Sequence, residues 1–250
     1  MMKIGGTSHL LMVLAILLII AGLMIIVYKS NKIVQNIIIT SVAVLGTVGI
    51  FFLHGTHYGT RLDLKNLGMQ MFQVCNFNFI LLPLCLFKKN ELARQYLFFF
   101  SMPAALSTFV TYPSDVANSM WYDIVSLNFW IDHACVVATP LLMVASRRFK
   151  PRLEYVNKVI LCVFIYFFAT FIANFAFNGF SFETINYNFS YTMESGSIMI
   201  LEPIFKLIPV PFIYLLPLLP PIYFLFWLVA YLFKNYKTFD AFGYEFKRKK

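Results

Sequence analysis

The sequence predicts an all-α fold: a polytopic membrane bundle of about seven transmembrane helices, N-terminus outside and C-terminus cytoplasmic. Three observations predict it. Of 250 residues, 60% are hydrophobic and only 12% charged, about half the charge of an ordinary soluble domain. The apolar residues form runs long enough to cross a bilayer, roughly 17–25 residues each. The basic residues fall between those runs, in an alternating pattern.

The runs are 9–28, 33–53, 68–87, 95–112, 123–146, 157–177 and 208–233. Backbone polar groups inside lipid must be satisfied internally, so a spanning segment is a helix or a barrel strand. Barrel strands are shorter and alternate in polarity. These runs do neither. The first is longer than a signal-peptide core and lacks a small-x-small cleavage site before Lys29, so it reads as a retained span. Pro217, Pro220 and Pro221 lie in the last run and predict a kink, since each removes a helix donor.

Orientation comes from the 20 Lys and Arg residues. One side of the predicted membrane collects Lys3, Arg61, Lys65 and Lys206. The other collects all the rest: the short loops around Lys29, Arg94 and Arg147–Arg152, and a tail over 234–250 ending Lys247-Arg248-Lys249-Lys250. The basic side is predicted to be cytoplasmic. The net charge of +9 is therefore a topology signal. Dispersed in short loops, it does not suggest nucleic-acid binding. The tail reads as positive-inside anchoring, with anionic-lipid contact as the alternative. The whole chain is one integral membrane domain.

Polar residues inside spans are costly and mark candidate sites. The third span holds Gln73, Cys75, Asn76 and Asn78; the fifth holds Ser126, Asn128, Asp132 and His133; the sixth holds Tyr166, Thr170 and Asn174. Helical spacing puts Asn128, Asp132, Cys135 and Thr139 on one stripe, and Tyr166, Thr170, Asn174 and Asn178 on another. Asp132 and His133 point about 100° apart and do not face each other. At ~1.5 Å per residue, Cys75 and Thr170 lie ~10 Å below the outer face, His133 ~15 Å and Asn174 ~5 Å. The set clusters in the outer half of the membrane.

Cys75 and His133 suggest a nucleophile and its base, since thiolate is the reactive form and imidazole takes the proton. Asn78, Asn76 or Asn174 then serves as oxyanion donor. The bland alternative is a packing thiol and a satisfied core histidine. His54 and His57 end the second span, but with His133 they lack a fourth ligand, and no metal or cofactor is expected. The four cysteines lie in apolar runs without metal spacing and give no disulfide framework. The long outer loop, Asn178 to Leu207, carries Glu183, Glu194 and Glu202 and reads as a lid or a plain surface loop. Asp132 and Asn174 could instead line the pocket of a solute transporter or sensor. A scaffold without chemistry is the third reading.

Four short motifs resemble the YwaF-like family of bacterial integral membrane proteins: Gln73-Val74-Cys75, Trp130-Ile131-Asp132-His133, Asn186-Tyr187, and Pro209-Val210-Pro211-Phe212-Ile213-Tyr214. The family carries His where this chain has Gln73, which leaves His133 as the intramembrane base. That group is similar to a eukaryotic membrane family credited with acyl transfer onto ether phospholipids, in which a Cys of the equivalent helix is implicated. It is more remotely similar to the androgen-induced membrane hydrolases, which use a Thr and a His. The resemblance implies lipid acyl chemistry at the cell membrane. By that resemblance Cys75 would be nucleophile and His133 base; the polar residues Asn78, Asn128, Asp132, Thr170, Asn174 and Tyr187 are the candidate substrate-lining set. The partners it implies are membrane lipids and an acyl chain.

Overall fold

A computed structural model describes residues 5–56, 60–87, 89–110, 120, 122–183, 185–196, 198 and 201–235. Among them the structure is helical, without a strand; an isolated bridge joins Thr56 to Leu62. Helix α1 spans Thr7–Lys29, and α2 spans Lys32–Ile50 and ends in a π-helical turn, Phe51–Gly55. Asn31 starts α2 by accepting from the amides of Ile33 and Val34, the usual work of an N-cap side chain. Helices α3 (Leu64–Gln70) and α4 (Asn78–Leu86) follow, then α5 (Glu91–Tyr96), a π-helical turn (Leu97–Ser101) and α6 (Met102–Ser107). Helix α7 is Ile124–Ala145, capped by Asp123, and α8 is Val156–Phe177. A short α9 (Leu201–Leu207) precedes a 3-10 turn, Ile213–Leu218, and α10, Leu219–Asn235.

Five helical stretches are long and apolar enough to cross a membrane: Thr7–Lys29, Lys32–Gly55, Ile124–Ala145, Leu153–Phe177 and Ile213–Lys234. They match five of the seven predicted runs. The third run, expected as a continuous helix over 68–87, is broken, and the fourth, expected over 95–112, is helical to Ser107 but passes through a π-helical turn. In the third, residues 71–77 form successive tight turns between α3 and α4. In the fourth, the amide of Met102 reaches back to the carbonyl of Leu97 in a π-type bond. Pro103 has no N–H to offer the Phe99 carbonyl, so the helix cannot keep its α register there. The proline cluster of the last run takes the form of the 3-10 turn around Pro217 leading into α10.

Helix α7 is central. In its most apolar window 61% of residues are buried, against 17–22% in the other four long helices. Its Trp130 and Leu142 are fully enclosed, while Leu10, Leu14, Leu18 and Ile25 of α1 remain exposed, as side chains facing hydrocarbon would be. Helix α7 packs chiefly on α2, then on α1 and α6. The α2–α7 approach is close because α2 presents glycines. A Cβ on Gly46 would stand 2.8 Å from Cys135 Cβ and 2.8 Å from Leu82 Cδ1. A Cβ on Gly49 would overlap the Asp132 carboxylate. Small residues at such seams let membrane helices gain dispersion contact.

The basic loops gather at one end of the bundle. Arg148 donates to Asn36 and to the Lys32 carbonyl (2.8 Å), Arg147 to Tyr28 (3.2 Å), and Gln95 to the Lys150 carbonyl (3.0 Å). At the opposite end His9 meets the Phe109 carbonyl at 2.9 Å, and the chain after α8 folds back onto residues 72–74.

Candidate functional site

The third apolar segment breaks where the outer loop docks into it. Ser190 Oγ donates to the Phe72 carbonyl at 2.6 Å and accepts from the Val74 amide at 2.9 Å. The Ser190 amide donates to Gln73 Oε1 at 2.8 Å. Backbone groups that a continuous helix would satisfy are thus satisfied by the loop, which is how an interruption survives at membrane depth. Gln73 is one of these anchors.

The loop itself is held by two asparagines of the α8 stripe. Asn174, fully buried, donates to the Phe189 carbonyl (2.9 Å) and to Thr192 Oγ1 (2.8 Å), and accepts from the Phe189 amide (3.1 Å). Asn178 accepts from the amides of Asn186 and Tyr187 (2.8 and 2.9 Å) and donates to the Tyr187 carbonyl (2.8 Å). The Phe212 amide donates to the Thr192 carbonyl at 2.7 Å, and Tyr214 donates to the Tyr191 carbonyl. Between these ties Ser190 and Tyr191 have φ of 52° and 57°. Two consecutive non-glycine residues in the left-handed region cost of order 1–3 kcal/mol each, and such strain tends to sit at functional sites.

Cys75 lies under this loop, half-buried, with Tyr166 and Tyr191 as its electrostatic neighbours. Tyr166 donates to the Met71 carbonyl at 3.1 Å, and Thr170 and Ser190 flank its hydroxyl. The Tyr191 hydroxyl makes no hydrogen bond among the described residues. Burial first, and the Cys75 thiol second, raise it above the ordinary tyrosine value, so near neutral pH it stays a proton donor. Asn78 donates to the Cys75 carbonyl at 2.8 Å, and its Oδ1 is buried without a partner. Tyr187 reaches the assembly through its backbone, while its ring packs on Phe177 and Phe189.

The α7 residues form a second group. Asn128 donates to Asp132 Oδ2 (2.6 Å) and to the Gly49 carbonyl (3.2 Å). Asp132 Oδ1 is buried, faces Gly49 and has no hydrogen-bond partner. The polar stripe of α7 therefore forms part of the seam with α2. His133 is buried, and its Nδ1 lies 2.7 Å from the Phe129 carbonyl. A carbonyl only accepts, so Nδ1 carries the proton and Nε2 keeps a bare lone pair. That Nε2 is buried and without a hydrogen-bond partner. Among the described residues no hydrogen bond joins Cys75 to His133. His54 faces Asn76 across the break in the third segment, and His57 lies outside the described residues. No three His, Cys, Asp or Glu side chains converge as a metal site among the described residues.

The sequence candidates were Cys75, His133, Asn78, Asn128, Asp132, Thr170, Asn174 and Tyr187. Ser190, Tyr191, Thr192 and Tyr214, which tie the loop down, were not among them. The Asn186-Tyr187 and Pro209–Tyr214 motifs flank these residues and were the available signal. Comparison with known proteins adds a family: the model of the TMEM164 family matches residues 4–231. No curated protein and no solved structure matches the chain.

Proposed function

We propose that this chain, which belongs to the TMEM164 family of membrane proteins, moves acyl groups between lipids through a thioester on Cys75. What carries the reading is the left-handed Ser190-Tyr191 turn, pinned over a half-buried thiol by anchors from three separate segments. The resemblance of its motifs to YwaF-like proteins, and through them to a lipid acyl-transfer family, supports the same chemistry by analogy.

The thiol attacks the carbonyl carbon of a lipid ester, and its proton passes to His133 Nε2, which has no hydrogen-bond partner of its own. The ester C–O bond breaks, and the leaving alcohol takes that proton back. An acceptor hydroxyl then gives its proton to Nε2 and attacks the thioester, whose C–S bond breaks to regenerate the thiol. The Tyr191 hydroxyl is the oxyanion donor. Asn78 and Asn174 position the site instead, because their amide N–H groups are engaged with backbone and with Thr192. Thr170 and Tyr187 shape its walls.

The proposed topology is seven crossings at the cell membrane, N-terminus outside and C-terminus cytoplasmic. Two sets of contacts support it. The third segment runs from the Ser190 loop to Arg94, which donates to the Cys85 carbonyl at 2.8 Å. The fourth runs from Gln95, beside Lys150, to Phe109, beside His9. Contacts at both ends are what seven crossings require of these two segments.

The test is lipid profiling in a strain whose acyl composition changes when the gene is deleted. Wild type restores the composition; Cys75→Ala and His133→Ala do not. A hydroxylamine-sensitive acyl adduct on Cys75, found by mass spectrometry, is expected in wild type and absent from both variants. Full restoration by Cys75→Ala would end the proposal.

A second reading, a small-solute transporter or sensor, is favoured by the broken third segment and by the Asp132 carboxylate. It requires Asp132 rather than Cys75, and Asp132→Asn separates the two.

A further inference from the structure

The basic end of the bundle contains a small open cleft of about 70 Å³ that the acyl-transfer reading does not use. It opens between α2, α4 and α7. Ile39, Leu86 and Met143 form its apolar wall, and Asn36 and Thr40 its rim. Two guanidiniums, Arg94 and Arg148, complete the lining, and no carboxylate is part of it.

The two arginines are fixed differently. Arg94 is 11% exposed; its Nε donates to the Cys85 carbonyl, and its Nη1 lies 3.8 Å from Glu91. Glu91 is shared, standing 3.9 Å from Arg152 as well. Nη2 of Arg94 has no partner among the described residues. Arg148 is held at the rim by Asn36 and the Lys32 carbonyl. Partial burial, and then the neighbouring Arg94 charge, lower its proton affinity. Like charges held together in a partly desolvated cleft are unfavourable unless an anion joins them. Guanidinium forks suit phosphate, and basic pockets between membrane helices are where anionic headgroups bind.

We propose that this cleft binds a phosphate group, supplied by an anionic phospholipid of the leaflet at the basic end. The phosphate sits between Arg94 and Arg148, and the first carbons of the lipid lie along Ile39, Leu86 and Met143. The site is separate from Cys75, so the proposal stands or falls independently of acyl transfer.

The experiment uses the purified full chain in a neutral maltoside detergent. Native mass spectrometry counts retained lipid after adding phosphatidylglycerol or phosphatidylcholine, and a parallel thermal-shift series adds inorganic phosphate alone. Wild type is expected to retain phosphatidylglycerol over phosphatidylcholine. Each guanidinium near a membrane surface contributes roughly a five-fold preference for anionic lipid, so Arg148→Gln should weaken retention about five-fold. Asn36→Asp keeps the acceptor for Arg148, and with it the local fold, but adds a competing negative charge; it should also expel the lipid. Lys89→Gln, an exposed position at the same end, should change nothing. Stabilisation by inorganic phosphate, lost in Asn36→Asp, would keep the phosphate site but assign it a soluble source. Equal retention of both lipids with no response to phosphate, or retention unchanged in both Arg148→Gln and Asn36→Asp, would overturn the proposal.

Discussion

Replacing Asn174 by Ala should open the outer loop while leaving the bundle folded. The side chain makes three hydrogen bonds, two with the backbone of Phe189 and one with Thr192 Oγ1. It is fully buried, so nothing replaces them at once. At about 1 kcal/mol net for each bond, the loop loses about 3 kcal/mol. The left-handed strain at Ser190 and Tyr191 pushes the same way, because the opened loop relaxes it. A loss of about 3 kcal/mol multiplies the open population roughly a hundredfold. Hydrogen exchange by mass spectrometry in nanodiscs reads this directly. Amides of Phe189, Ser190 and Met193 should exchange about a hundred times faster, while those of α7 stay unchanged. Maleimide labelling of Cys75 should accelerate in parallel, since the loop covers it. An increase under three-fold across 189–193 would refute the idea that Asn174 clamps the loop.

Other outcomes follow from the same contacts. Gly49→Ala places a methyl on the Asp132 carboxylate and should cost about 1–3 kcal/mol as overpacking; thermal unfolding in detergent measures it, and the cost should shrink in an Asp132→Ser background. Trp130→Ala empties the largest fully buried side-chain volume and should destabilise by about 3–5 kcal/mol, read in the same assay. Tyr214→Phe removes only the hydroxyl that reaches the Tyr191 carbonyl; it should speed exchange in the loop roughly five-fold, from about 1 kcal/mol, and leave α10 unaffected. Lys206 bonds to and faces the exposed Glu202, holding its carboxyl below the usual 4.5. The pair's contribution to α9 is therefore present above that value and lost as pH falls through the lowered one. Carboxyl NMR should place the Glu202 midpoint below 4.5, and Lys206→Gln should return it there.

Much of the architecture follows from composition. A chain with 12% charge and long apolar runs has one stable solution in lipid, helices whose backbones satisfy themselves. Four runs became α-helices close to the expected extent, and the last did so from Leu219, because hydrogen bonds four residues apart need nothing from elsewhere. The polar stripe of α8 was legible for the same reason, since Thr170, Asn174 and Asn178 share a face by spacing alone.

What the tertiary structure decided is where helices could afford to stop. Nothing in the composition of 68–87 distinguishes a broken segment from a continuous one. The break at 71–77 exists because Ser190, more than a hundred residues away, offers a hydroxyl to the Val74 amide and the Phe72 carbonyl. The α2–α7 seam is set the same way, by Gly46 and Gly49 meeting Cys135 and Asp132. There Asn128 and Asp132 of the α7 stripe meet the backbone of α2. Helix formation is local and reads out along the chain. Satisfying a polar group from a distant segment depends on which surfaces meet, and that is settled only when the bundle closes.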